Sequence, residues 1–348
     1  MASSDRHFMQ RCFDLAVLGA GRTAPNPMVG AVLVHNETII GEGFHRAYGE
    51  AHAEVNAVNS VSPENRNLVP YSTLYVSLEP CNIYGKTPPC TNLILEKKIP
   101  KVVISCLDHS PGVNGSGIER LRAAGVEVVV GVLEAEGQHL SRIRNTFVRE
   151  NRPYIILKFA QSSNGMFAPP DSRQYWLTNA FSKRLTHKWR SEVDAILVGA
   201  NTARIDNPQL TNRLWPGKSP LRVVLSRHGG LPSSLALFDE NAPTLLVYEK
   251  KTSLMGQKNY QVLELAFNQA LLPSLLTSLA QRNITSLLVE GGARTLEGFL
   301  QLGLWDEARV LVAGVHLFPG LPAPQLPLAP ESIQKLGNDF LLAYQNHA

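Results

Sequence analysis

His52 and Glu54, in the segment HAEV, and Cys81 and Cys90, at the two ends of CNIYGKTPPC, are the residues whose types and spacing point most directly to chemistry. One imidazole and two thiolates suit zinc. Three protein ligands leave the fourth tetrahedral position open to a water, whose pKa the metal lowers toward neutrality. Glu54 then remains available to carry a proton from that water to a departing amine, the division of labour that hydrolytic deamination requires. A structural zinc site closes with four protein ligands and often uses short Cys-x-x-Cys spacing. Here the gap between the cysteines is longer, no fourth ligand stands beside it, and Glu54 has no structural purpose. Cys12 and Cys106 lie in apolar runs that read as core.

These side chains need elements that aim them. Residues i and i+2 of a helix point apart, so His52 and Glu54 meet one metal only near a helix N-terminus. Gly49 precedes the helical run AHAEVNAVNS and permits this. The second segment reads as strand TLYVSLE, turn-rich CNIYGKTPP, then helix CTNLILEKK. Cys90 at that helix start faces a positive dipole end, which favours thiolate.

Upstream, Phe8, Cys12, Leu15 and Ala16 are spaced for an amphipathic helix from Asp5 to about Gly19. MVGAVLVHNETIIGEGFH reads as a hairpin around HNET. Downstream, KVVISCL, GIERLRAAG and VEVVVGV continue an α/β alternation. SRIRNTFVRENRP breaks that pattern before strand YIILKFAQS, which sets a domain boundary near Glu150 and divides the chain into 1–149 and 150–348. The second half repeats the theme in strands DAILVG, LRVVLS, PTLLVY, ITSLLVE and DEARVLVAG, with helices SKRLTHKWRSE and TLEGFLQLG. No G-x-G-x-x-G follows any of these strands, which argues against a Rossmann site. Gly291-Gly292 between LLVE and a helix suits a phosphate at a helix start, or simply a tight turn. HLFPGLPAPQLPLAP reads as an ordered surface loop with polyproline character.

The length, 348 residues, suits two domains, and 44% hydrophobic with 18% charged residues describes an ordinary globular chain. A net charge of +4 with scattered basic residues suits a phosphorylated metabolite and falls short of a nucleic-acid stripe. Four cysteines, two of them committed to metal, leave no disulfide framework and point to a reducing cytoplasm. Neither a signal peptide nor a membrane span is expected.

The motifs PNPMVGAV, GEGFH, GEAHAE and EPCNIYGKTPPC in the first half resemble those of the bifunctional deaminase/reductase family of riboflavin biosynthesis. In the second half, KFAQSSNGMFA, YWLTN, HKWRSEVDAILVGANTARIDNPQLTNR and LLVEGGARTLEGFL are similar to its reductase domain. The resemblance covers almost the whole chain. It implies an α/β protein with an N-terminal cytidine-deaminase-like three-layer domain and a C-terminal dihydrofolate-reductase-like domain. The first would deaminate 2,5-diamino-6-ribosylamino-4(3H)-pyrimidinone 5′-phosphate with zinc on His52, Cys81 and Cys90 and with Glu54 moving protons; the second would reduce ribosyl to ribityl with NADPH.

By the same resemblance, Asn26, His45 and Lys86 contact the pyrimidine nucleotide. Lys158, Gln174, Arg190, Leu210, Arg213 and Glu290 line the reductase substrate pocket, with Arg190 and Arg213 as phosphate clamps. Ala160, Trp176, Thr202, Asp206, Ser226, Gly291 and Gly292 meet NADPH, and Ser226-Arg227 is a candidate for its 2′-phosphate. Arg190 on a helix reads equally as a surface charge, and Asp206 and Glu290 read as strand-end or loop residues. A homo-oligomer, dimer or larger, is implied.

Three positions depart from the family pattern. Ile83 stands where a histidine is usual, Asn164 where Asp is common in a turn that asks for left-handed backbone, and Gln174 where a small residue is frequent. A nucleic-acid deaminase would want aromatic platforms and a basic channel, which are not seen. A reductase carrying a silent deaminase module is the other alternative, with Ile83 as its trace.

Overall fold

Asn36 and Glu37 both take left-handed backbone (φ 46° and 59°), and this two-residue turn matches the twist of the strands it joins. It closes the hairpin of β1 (Gly30–His35) and β2 (Thr38–Phe44) that the sequence predicts. The computed structural model describes residues 3–170, 175–249 and 260–347. The chain divides into two compact units, Met1–Arg152 and Pro153–Ala348.

In the first unit, β3 (Thr73–Leu78), β4 (Lys101–Cys106) and β5 (Glu127–Val130) complete a sheet of order β2-β1-β3-β4-β5. The pairs β1–β2 and β1–β3 are antiparallel, and β3–β4 and β4–β5 parallel. The helices are α1 (Ser3–Ala16), α2 (Ala53–Asn59), α3 (Cys90–Glu96), α4 (Ser116–Ala123), α5 (Glu134–Leu140) and α6 (Arg142–Glu150). Strand side chains alternate between faces. Ala31, Leu33, Leu74, Val76, Val102 and Ile104 pack with Ala57 of α2, Ile94 of α3 and Leu121 of α4. Val32, Val34, Tyr75 and Val103 face the other way, onto Phe8, Met9, Cys12 and Phe13 of α1. The result is the expected three layers, with Cys12 and Cys106 both buried in the core.

SRIRNTFVRENRP, which interrupts the predicted alternation, forms α6. Its fully buried position is Asn145, whose amide donates to Gln138 Oε1 at 2.9 Å, so no apolar stripe marks it as a helix.

The second unit contains β6 (Tyr154–Ser162), β7 (Met166–Ala168), β8 (Ala195–Gly199), β9 (Leu221–Leu225), β10 (Thr244–Tyr248), β11 (Gln261–Glu264), β12 (Ser286–Val289), β13 (Glu307–Ala313), β14 (Leu321–Pro322), β15 (Ser332–Leu336) and β16 (Asp339–Gln345). Its helices are α7 (Ala180–Glu192), α8 (Ala200–Asp206), α9 (Leu271–Gln281) and α10 (Ala293–Gln301). Nine strands form one sheet, β11-β10-β9-β8-β12-β6-β13-β16-β15, parallel from β11 to β13 and antiparallel beyond. The chain lays β8 to β11 outward on one side, then returns to insert β12 between β8 and β6. Among the described residues no helix is long and apolar enough to cross a membrane.

Two expectations are corrected here. Asp206 closes α8 and is neither a strand end nor a loop residue. Asn164 does not take the left-handed position. Gly165 does (φ 77°), while the Asn164 amide accepts from Leu317 N–H (3.1 Å) and donates to its carbonyl (3.0 Å).

Candidate active sites

The first site forms where two helix starts converge. His52 is the residue before α2, in extended backbone, and Glu54 is the second residue of that helix, so their side chains escape the divergence of a helix interior. Cys90 opens α3, and its N–H donates to Cys81 Sγ at 3.3 Å. His52 Nδ1 lies 3.5 Å from Cys81 Sγ and 3.3 Å from Cys90 Sγ. With Zn–S near 2.3 Å and Zn–N near 2.0–2.1 Å, the nitrogen-to-sulfur edges of a tetrahedron are about 3.5 Å, so the donor atoms fit zinc. All three ligand atoms lie within 4.8 Å of one another, and among the described residues they are the group able to hold a metal.

The charges around these ligands are tightly linked. The Cys90 thiol donates to Cys81 and, together with His52, draws Cys81 down to about 4 against the effect of burial. Cys90, holding that proton, is pushed well up. Glu54 is 3% exposed; burial, then the Cys81 sulfur, raises it above the ordinary carboxylate range. A carboxylate so placed holds a proton readily at the metal ligands.

Beside the ligands, His45 stacks edge-on against His52 with ring centroids 5.3 Å apart. Its Nδ1 meets the Ala51 carbonyl at 3.1 Å, which requires Nδ1–H, and Nε2 therefore accepts from Asn26 Nδ2 at 3.2 Å. Burial lowers the His45 pKa and keeps the ring neutral. Asn26, His52, Lys86, Ile83 and Thr87 line a cavity of about 210 Å³, so two of the three predicted nucleotide contacts reach it directly and His45 supports them. Ile83 is 45% exposed and gives that wall an apolar patch in place of a ring nitrogen. Tyr48, which the sequence reading missed, also lines the cavity and holds Lys86 Nζ 4.0 Å from its ring centroid.

The second site lies at the carboxyl ends of the parallel strands. Glu290 directly follows β12 and takes a bidentate pair of bonds from Arg190 on α7, Nε to Oε1 and Nη2 to Oε2, each 2.8 Å. Lys158 on β6 approaches Oε2 at 3.5 Å. Burial alone would raise the Glu290 pKa, but Arg190 and Lys158 hold it at about 2. Arg190 is only 12% exposed, which removes the surface-charge reading; its carboxylate partner equally means that its fork is already engaged. Arg190 Nη1 also bonds Thr211 O (3.2 Å), and Arg213 Nη1 bonds Thr211 Oγ1 (2.8 Å), so Lys158, Arg190, Glu290 and Arg213 form one group, with buried Leu210 beside Thr211. Asn179 caps α7 by accepting from Ser182 N–H, which fixes the helix that carries Arg190.

His187, one turn before Arg190, was not anticipated. Its Nδ1 accepts from Arg213 N–H at 3.0 Å, and burial, then Arg190 and Arg213, lower its pKa to about 4.

The residues predicted to meet NADPH gather in part. Gly292 precedes α10 with φ 31°, and a Cβ there would stand 2.9 Å from Thr202 Oγ1 in α8. A Cβ on Gly291 would meet Val198 Cα at 2.4 Å, so packing against β8 already requires that glycine. Thr202, Ser226 and Gly291-Gly292 follow β8, β9 and β12 at the carboxyl edge of the sheet, where open α/β sheets bind ligands. This small-residue turn before a helix suits the phosphates of a dinucleotide. Ala160 shares a face of β6 with Lys158. Trp176 is 66% exposed, with Lys183 Nζ 4.8 Å from its ring, and burial raises the Asp206 carboxyl. Arg227 is ion-paired with Glu249 at 2.7 Å. Gln174 lies outside the described residues.

Residues 153–342 match the RibD C-terminal domain, and residues 2–106 match the cytidine and deoxycytidylate deaminase zinc-binding region. The riboflavin biosynthesis protein RibD of Aquifex aeolicus is 37% identical, covering 99% of each chain. The crystal structure of a diaminohydroxyphosphoribosylaminopyrimidine deaminase/5-amino-6-(5-phosphoribosylamino)uracil reductase from Thermotoga maritima superposes with a TM-score of 0.88 at 36% identity, covering 98% of each chain. Acinetobacter baumannii RibD gives 0.87 at 31% identity, again covering 98% of each.

Proposed function

This chain belongs to the RibD family of bifunctional riboflavin-biosynthesis enzymes, and we propose that its two units carry the two reactions separately. Its cofactors are zinc and NADPH. Met1–Arg152 deaminates 2,5-diamino-6-ribosylamino-4(3H)-pyrimidinone 5′-phosphate, and Pro153–Ala348 reduces the ribosyl chain to give 5-amino-6-(5-phospho-D-ribitylamino)uracil. The observation that carries this reading is the convergence of His52 Nδ1 with two cysteine sulfurs beside buried Glu54.

Zinc on those three ligands lowers the pKa of a bound water toward neutrality and adds positive charge beside Glu54. Glu54 takes a proton from the water attacking C2 and delivers it to the amino nitrogen, which leaves as ammonia. Asn26 and neutral His45 orient the pyrimidine, and Lys86, steadied on Tyr48, meets the phosphate.

NADPH supplies hydride to C1′ in the second unit. Glu290 stays ionised between Arg190 and Lys158 and acts there as an anchor; Lys158 is the member of this group with protons to give. Arg190 is engaged with Glu290, so the phosphate clamp passes to Arg213. Leu210 completes the pocket wall, while Ala160, Trp176, Thr202, Asp206, Ser226 and the Gly291-Gly292 turn receive the dinucleotide. A cytoplasmic homo-oligomer without nucleic-acid partners completes the reading, and four free cysteines support the reducing compartment.

Mass spectrometry of the diaminopyrimidinone ribonucleotide tests both halves. Exchange of an amino group for oxygen without NADPH, then addition of two hydrogens with it, is the expected result. An unchanged mass, with reduction only of substrate already deaminated, would identify a silent deaminase and make Ile83 the first residue to revert.

A further inference from the structure

We propose that helix α4 is the outer support of the metal ligands and that Glu79 and Arg120 are positioning residues holding Cys81 and Cys90 at coordinating distance. The inference rests on the ligand assignment above. The two cysteines end a turn-rich loop, and α4 grips both ends of it.

At the first end, Glu79 lies two residues before Cys81 and is buried. Its carboxylate is satisfied by three backbone N–H groups at the start of α4 and the loop before it: Asp108 (3.3 Å) and Gly115 (2.9 Å) at Oε2, and Gly117 (3.0 Å) at Oε1. A Cβ at Gly117 would stand 2.2 Å from Pro80 O, so only glycine lets α4 lie against the Pro80–Cys81 peptide.

One turn along the same helix, a single nitrogen of Arg120 reaches both ends. Its Nη1 donates to Asn82 Oδ1 and to Thr91 Oγ1, each at 2.9 Å, and the Thr91 hydroxyl donates to Asn82 Oδ1 at 3.0 Å. Asn82 follows Cys81 and Thr91 follows Cys90. Asn82 Nδ2 also reaches Ser116 O at 3.4 Å, back on α4. Sulfurs ordered in this way lose less conformational freedom when metal binds, and outer partners of this kind change metal affinity by about 10–100-fold.

The test uses the full-length chain titrated with cobalt(II), read by its thiolate-to-cobalt charge-transfer band, with zinc affinity measured by chelator competition. Arg120→Ala and Gly117→Ala are expected to weaken both metals by about 10-fold or more and to alter the band. Arg120→Lys, which keeps a donor for the shared acceptors, is expected to recover part of the loss. Arg122→Ala, on the same helix but bonded to Val128 O, should bind as the wild type does. Wild-type affinity and an unaltered band in Arg120→Ala would overturn the proposal. An equal loss in Arg122→Ala would also overturn it, by showing an effect of helix stability alone. A wild-type chain without the band would overturn the ligand assignment and this inference with it.

Discussion

Glu54 and Glu290 are the buried carboxylates of the two sites, and their surroundings drive them in opposite directions. Glu54 is raised by burial and by the Cys81 sulfur, whereas Glu290 is held at about 2 by Arg190 and Lys158. The same side chain therefore becomes a proton carrier in one unit and a permanent charge in the other. What differs is the partner: two sulfurs and an imidazole in the first, two cations in the second. Burial alone does not assign a role.

The sharpest way to break this contrast is to neutralise each carboxylate in turn. Glu54→Gln should cut ammonia release by about 10²–10⁴-fold while zinc content stays at one per chain, measured by metal analysis and ammonia assay. Retained turnover would remove Glu54 from the mechanism. Glu290→Gln should act on stability as well as on reduction, because it leaves Arg190 and Lys158 buried without their counter-charge, at a cost of about 3–5 kcal/mol in denaturant unfolding.

Acid sharpens the same comparison. The folded Glu290 pKa of about 2 lies below the model value of 4.5, so its stabilisation is complete above pH 4.5 and is lost as pH falls toward 2. The gap between wild type and Glu290→Gln should shrink across that window by about 3 kcal/mol. A gap independent of pH would mean that the loss is one of packing.

The smallest expected effect is Asn164→Asp. It removes the donation to Leu317 O and sets a charge against that carbonyl, at about 1 kcal/mol, or about 2–4 °C in the melting of the second unit.

Much of the first site was legible because its chemistry is written in residue type. Histidine before a helix, glutamate two residues on and cysteine at the next helix start leave few other readings, and the alternating Ala31–Val34 run places the sheet behind them. The supports were not legible: Arg120 is remote in sequence from the cysteines and carries no motif. In the second unit, LLVEGG drew attention to Glu290 and its turn, but the Arg190 pairing depends on topology that brings α7 to β12. α9 was missed because LLPSLLTSLAQ is apolar on most faces, so periodicity has nothing to contrast. The β15–β16 hairpin turns at Gly337-Asn338, a signal present in the sequence and passed over.

During synthesis, β6 and β8–β11 emerge before β12, although β12 lies between β6 and β8. Until Ser286–Val289 arrives, both neighbours present open apolar edges, which are templates for pairing with other chains. Closing so distant a parallel pairing is slow. Lys158 and Glu290 sit on β6 and just after β12, so their contact forms only when this late strand is in place. Substitutions on β12 should therefore register first in the yield of folded protein during expression, before they register in the stability of the molecules that fold.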